Sequence, residues 1–324
     1  MRTDISDLNN TSKSQIKIAL FAISRPIQMF LLEHLIVQSY YIDVIAPEEI
    51  NKIDWSSYDV AISEHGKEIE GYSICQSIFK FNSKLPFIFI TSNPLTEELT
   101  LLHNHLFPQY IIYSGADDLG EWIVKTINSV LKPDITTINS LVKSDSSYLT
   151  LSINDSKHKD RLIQEFIEFF KSKNIRTRVL ITIAEILDEL ITNALFNAPV
   201  APKGQNIYRN TDRRWEVLLD KNESARVTCL LDNNNICIST KDPFGSLSIK
   251  TLYHHINKCN TKDKNQLDDK ECSAGFGLYK IFRLASHFSV YVEPEKSTEF
   301  IITIHKDIEH MNKETTSLSV EIRG

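Results

Sequence analysis

The sequence predicts an α/β protein of two domains, the first a doubly wound, five-stranded parallel sheet. Three observations predict it. The 324 residues exceed what one hydrophobic core ordinarily serves. Up to Leu131, short apolar runs alternate with amphipathic ones, as strands alternate with helices in a parallel sheet. A polar stretch rich in Ser, Thr and Asp, Lys132 to Thr150, then separates this pattern from a second one of longer helices and hairpins.

The elements of the first half follow in order. "IKIALFAI" (Ile16 to Ile23) is nearly continuous in apolar residues, as a strand buried on both faces requires. "PIQMFLLEHLIVQ" has helical spacing, with Pro26 suited to a first turn. "YIDVIA" and "YDVAISE" (Tyr58 to Glu64) read as the second and third strands, and "YSICQSIFKF" as a helix. "PFIFITS" (Pro86 to Ser92) is a fourth strand, "EELTLLHNHL" a helix, and "YIIYSG" (Tyr110 to Gly115) a fifth strand. "LGEWIVKTINSVL" closes the set as a helix.

Composition narrows the function classes. With 42% hydrophobic and 24% charged residues the chain reads as soluble and globular. No apolar run approaches the roughly 20 residues that span a bilayer. The start, "MRTDISDLNNTSKSQ", lacks the apolar core of a signal peptide, so a cytoplasmic protein without a membrane partner is expected. A net charge of −6 supplies no basic field for nucleic acid. Five cysteines (Cys75, Cys229, Cys237, Cys259, Cys272) contain no Cys-x-x-Cys and read as reduced thiols. His103, His105, His254 and His255 come nearest to metal-ligand spacing, and none is expected to hold a metal.

Over about residues 14–132 the pattern resembles the response-regulator receiver domain. The motif residues depart from it. Ala22 and Ile23 stand where receivers carry an acidic pair, and Glu64 stands at the phosphorylated aspartate. Thr91 matches the switch hydroxyl, whereas Tyr113 and Ser114 replace the usual lysine and proline. Phosphotransfer to a carboxylate needs Mg²⁺ held by several oxygens. A lone glutamate, one methylene out of position, serves poorly. The expectation is a pseudo-receiver that dimerises or docks a partner. Glu64 then mimics a phosphorylated state or, more plainly, is a solvated or helix-capping carboxylate.

The boundary is expected between Pro133 and Ser147, with a linker over 133–146. "YLTLSI" follows as a strand, and "DSKHKDRLIQEFIEFFKSKN" as an amphipathic helix. The long helix "RVLITIAEILDELITNALFNAP" (Arg178 to Pro199) is apolar but carries Glu185, Glu189, Asn193 and Asn197 at intervals of four. That spacing lines them up as one polar stripe. A solvated face explains such a stripe. A cavity wall explains its narrowness better, and its mix of carboxylate and amide suits Mg²⁺. "ARVTCLL" and "NICISTKD" form strands joined at Asp232 to Asn235, and the second runs into "DPFGS". Asp242 there is either an Asx-turn residue or a ligand contact. After the polar stretch 257–273 comes "ECSAGFGLYKIF", whose Gly275 and Gly277 open a helix. "HFSVYVEP" and "EFIITIHK" make a closing hairpin.

Taken in order, these pieces resemble the GHKL superfamily of ATP-binding domains over about residues 147–307. Glu189 and Asn193 match its N box. Asp242 and Gly245 match its first glycine box loosely, because Phe244 and Ser246 occupy two expected glycine positions. Gly275, Gly277 and Leu278 match its second glycine box, and Thr298 the threonine before the last strand. The resemblance implies an α/β sandwich of the Bergerat type with ATP and Mg²⁺ as cofactors. Asn193 would ligate the metal, and Glu189 would be catalytic, orienting or activating the group that attacks the γ-phosphate. Asp242 would accept from the adenine amino group. Gly275 and Gly277 would bring backbone N–H groups to the phosphates at a helix start. The stretch 257–273 would be the lid, with Lys262 and Lys264 near phosphate.

Within the superfamily the layout is closest to the anti-sigma-factor serine kinases. His158, in "SKHKDRL", does not match a histidine-kinase acceptor, and the tail over 308–324 is too short for a transducer domain. Val200 to Glu223 is an added segment. The expected function is a nucleotide-dependent signalling regulator, a possible ATPase or protein serine kinase. It would work with a regulatory protein partner (a sigma factor or anti-sigma antagonist) and as a homodimer. A nucleotide-free scaffold and an atypical histidine kinase are the alternatives.

Overall fold

The computed structural model describes residues 15–21, 24–38, 40–65, 71–93, 95, 110–113, 119–131, 138, 146–201, 204–257, 276–307 and 317–322. It is a mixed α/β fold in two compact units, Met1–Ile88 and Phe89–Gly324.

In the first unit, β1 (Lys17–Phe21) pairs in parallel with β2 (Tyr41–Ile45) on one side and β3 (Val60–His65) on the other. The order β2-β1-β3 is the start of the doubly wound arrangement the sequence predicts. Ile18, Leu20, Val60 and Ile62 are fully buried, which is what their unbroken apolar runs require. Helix α1 (Arg25–Ile36) has proline in its first turn and buries Leu31 and Leu35. Helix α2 (Gly71–Phe79) packs on β3. Trp55 stacks at 5.5 Å from Phe21, and its indole N–H donates to the Ile50 carbonyl at 2.9 Å. Strand β4 (Phe87–Thr91) begins in this unit, where Ala61 donates to the carbonyl of Pro86.

The second unit holds a sheet ordered β5-β11-β9-β10-β8-β7-β6. Its strands are β5 (Tyr110–Tyr113), β6 (Ser147–Ile153), β7 (Ala225–Leu231), β8 (Asn235–Asp242), β9 (His287–Glu293), β10 (Ser297–His305) and β11 (Ser317–Ile322). From β6 to β9 every neighbour is antiparallel. The unit's longer described helices include α3 (Leu119–Leu131), α4 (Lys159–Lys171), α5 (Thr177–Thr192), α6 (Ile249–Asn257) and α7 (Phe276–Leu284). Helix α5 packs on α4 and α7, and α7 on α6.

Two features differ from expectation. Residues expected as a C-terminal tail supply β11, which runs parallel to β9 and antiparallel to β5. Leu318 and Val320 are buried there. The packing division therefore falls inside β4 and not in the 133–147 join. Pairing of β5 with β11, and stacking of Trp122 of α3 on His287 of β9 at 3.2 Å, bind the last receiver-like elements into the second unit. The expected helix at "EELTLLHNHL", the residues Ala22, Ile23 and Ser114, the linker (Ile138 and Ser146 apart), the lid with its lysines, Gly275, His103 and His105 lie outside the described residues.

Candidate functional site

The candidate site is built on α5. Residues 185, 189 and 193 follow one another along one face of that helix, as the four-residue spacing dictates. Immediately after it, Asn193–Asn197 widens into a π-turn, in which Ala198 N–H reaches back to the Asn193 carbonyl at 2.9 Å. Such widened turns concentrate at functional sites.

The stripe is a hydrogen-bonded ladder. Asn193 Nδ2 donates to Glu189 Oε1 at 3.1 Å, Asn197 Nδ2 donates to Asn193 Oδ1, and Arg213 Nη2 donates to Asn197 Oδ1 at 3.0 Å. Glu185 stands apart, paired with Lys280 of α7 at 3.1 Å. Burial pushes the Glu189 carboxyl above its ordinary range, against the opposing pull of the Asn193 hydrogen bond. Gly277 lies directly against Glu189. A β-carbon there would overlap its carboxylate, so Gly277 and Glu189, far apart in sequence, meet in space.

Asp242 ends β8 opposite Thr298 of β10. It is 5% exposed and accepts the Phe244 N–H at 3.0 Å, with further backbone donors from Gly245 and Thr298. Desolvation nevertheless outweighs these donors and pushes its carboxyl up to about 7. The hydroxyls of Thr240 and Thr298 are buried with no hydrogen-bond partner among the described residues. Buried polar groups are nearly always satisfied, so two orphan hydroxyls beside a desolvated acid could serve a polar ligand. Gly245 serves the backbone: its φ is +60°, and a β-carbon would strike the Glu293 carbonyl of the β9–β10 turn.

One cavity of about 880 Å³ gathers these groups, a volume suited to a nucleotide-sized ligand. Glu189, Asn193, Asp242, Leu278 and Thr298 line it, and Gly277 stands behind Glu189. Gly245 supports the wall from the adjoining turn without lining it. Sequence reasoning missed Thr240, although it sits two residues before Asp242 and so on the same strand face. It also missed Arg209 and Arg213 of the 200–223 segment, which line the cavity too. Among the described residues no group of three His, Cys, Asp or Glu side chains could hold a metal alone. A Glu–Asn pair in a polar cavity fits Mg²⁺, an ion that keeps most of its ligands as waters and substrate phosphates.

Glu64, 8% exposed, accepts the backbone N–H of Ser24 at the start of α1 and so caps that helix. The Thr91 hydroxyl is buried and accepts from Asn93 N–H at 3.0 Å.

No family model and no curated protein matches the chain. Solved receiver structures do match its N-terminal part. A response regulator receiver protein from Sinorhizobium medicae covers 37% of this chain and 96% of its own, at 10% identity and a TM-score of 0.31. The signal receiver domain of an HD domain-containing protein from Pseudomonas fluorescens covers 39% and 93%, at 14% identity and 0.32. A CheY-like receiver domain protein from Methanospirillum hungatei covers 37% and 99%, at 19% identity and 0.30. These values leave the chemistry to be argued from this chain's own residues. Among the described residues no helix is long and apolar enough to cross a membrane.

Proposed function

We propose that the chain is a signalling regulator whose second unit binds an adenine nucleotide with Mg²⁺ in a GHKL-type site. Its receiver-like region would work without phosphorylation, by docking or by self-association. The observation that carries the proposal is the single cavity shared by Glu189, Asn193, Asp242, Leu278 and Thr298. Residues far apart in sequence, from separate motifs, line this one cavity, which supports a single ligand touching them all.

The roles follow from the chemistry. Asp242 accepts from the adenine amino group, and the Thr240 and Thr298 hydroxyls serve the remaining edge of the base. Asn193 holds the metal through its amide oxygen, exchanging the Asn197 hydrogen bond for it. When bound, Mg²⁺ supplies positive charge against the phosphates. Glu189, with its affinity for a proton raised by burial, takes the proton of an attacking hydroxyl or water. A protein serine kinase and a slow ATPase both use this set. A regulatory protein partner of the sigma-factor or anti-sigma kind, and a homodimer, belong to the same proposal.

Thermal melting with and without ATP and Mg²⁺ tests it. Nucleotide at 100 times its Kd stabilises by about 2.7 kcal/mol. The shift should vanish in Asn193→Ala and be smaller with GTP, whose base has a carbonyl where adenine has its amino group. No ATP shift in the parent chain would leave the scaffold reading in its place.

A further inference from the structure

The cavity has a second end, supplied by the 200–223 segment. This segment is seated firmly against the end of the ladder. Asn206 Nδ2 donates to the Asn197 carbonyl at 2.8 Å, a bridge joins Val200 to Asn206, and the Arg213 guanidinium lies 4.4 Å from the centre of the Phe196 ring. It also supplies three of the cavity's five basic side chains, Arg209, Arg213 and Arg214.

Charge pairing sorts these five. Lys157 pairs with Glu216 at 2.6 Å, Lys159 with Asp188 at 2.6 Å, and Arg214 with Asp212 at 2.6 Å. Arg209 and Arg213 form no salt bridge among the described residues. Arg213 spends one of its five N–H donors on Asn197, and the other four remain for a ligand. Two guanidinium groups with donors to spare line this one cavity, and Arg213, which the Glu189 carboxylate also attracts, is linked to Glu189 through two amides. Guanidinium matches the paired oxygens of a phosphate better than any other side chain.

We infer that Arg213, with Arg209 of the same cavity lining, holds the terminal phosphate of the bound nucleotide, so that the added segment selects nucleoside triphosphate over nucleoside. This rests on the nucleotide reading above and goes past it. The phosphate-recognising charge comes from a segment that the minimal domain lacks, next to the Glu189–Asn193 pair. The two arginines are positioning and specificity residues for the phosphate, and Glu189 keeps its separate role.

Calorimetric titration of the full chain with ATP and Mg²⁺, adenosine, and pyrophosphate tests this. The parent should bind ATP at least about tenfold more tightly than adenosine. Arg213→Gln should lose about 10- to 100-fold for ATP, the worth of charge-assisted hydrogen bonds, and keep adenosine within about twofold. Arg213→Lys should recover part of the loss. Arg209→Gln, which removes no hydrogen bond or ion pair among the described residues, guards against a folding defect and should show a smaller loss of the same kind. Equal affinity for ATP and adenosine in the parent, or unchanged ATP affinity in both glutamine variants, overturns the inference while the adenine pocket stands. Pyrophosphate binding without any adenosine binding keeps the anion site and refutes the nucleotide reading. No binding of any of the three refutes both.

Discussion

Asp242→Asn should raise the stability of the ligand-free protein above neutral pH and remove the stabilisation that nucleotide gives the parent. In the folded chain the carboxyl is buried, and its pKa rises from 3.8 to about 7. The unfolded chain therefore gives up this proton first. Between about pH 4 and 7 the native state binds more protons than the unfolded state, so stability falls with rising pH and levels off above 7. The loss by pH 8 is up to about 4 kcal/mol at 1.36 kcal/mol per tenfold change in proton affinity. For a unit of this size that is on the order of 10 °C in melting temperature. Asparagine carries no such penalty. Without ligand, Asp242→Asn should melt a few degrees above the parent at pH 5, where about 1.5 kcal/mol of the loss is already present, and well above it at pH 8. With ATP and Mg²⁺ at pH 8 the parent should gain and the variant should not, because the amino group of adenine rewards the ionised acid. Differential scanning fluorimetry from pH 5 to 8.5 reads both effects. Parent and variant curves that stay parallel across this range, or a variant as responsive to ATP as the parent, would refute the reasoning.

Other changes probe separate parts of the account. Gly277→Ala should change melting only modestly, since the roughly 1 kcal/mol of helix propensity gained offsets part of the cost of swinging the end of the Glu189 side chain aside; its response to nucleotide should be lost with displacement of Glu189. Gly245→Ala should destabilise by at least about 1–2 kcal/mol, the cost of left-handed backbone alone, before its collision with the Glu293 carbonyl is counted; chemical denaturation measures this. Glu64→Ala should cost about 1 kcal/mol by uncapping α1. Incubation of the parent with acetyl phosphate and Mg²⁺ should add no phosphate to the first 132 residues by intact and peptide mass, and an adduct there would contradict the pseudo-receiver reading.

Much of the fold was legible because burial leaves period and run length in the sequence. Continuous apolar runs located β1, β3 and β4, and α3 matches its apolar spacing from Leu119 to Leu131. The stripe at intervals of four located Glu189 and Asn193, since helical periodicity survives without knowledge of tertiary contacts. Long-range pairing left no such mark. Nothing local in "SLSVEI" says that it will run between β5 and β9, because a strand's neighbours depend on the whole sheet. The arginines escaped for a related reason. In sequence they sit in an inserted segment read as a cover for the site or a partner surface, with nothing to single them out, and the contacts with Asn197 and Phe196 turn that segment toward the cavity.

The most direct test of the central claim is photoaffinity labelling of the full chain with an azido-adenine nucleotide, followed by peptide mapping. The account predicts label on peptides containing Thr240 to Gly245 or Leu278, abolished by excess ATP and weakened little by GTP. Label confined to the first 132 residues, or label that ATP does not compete away, would contradict it.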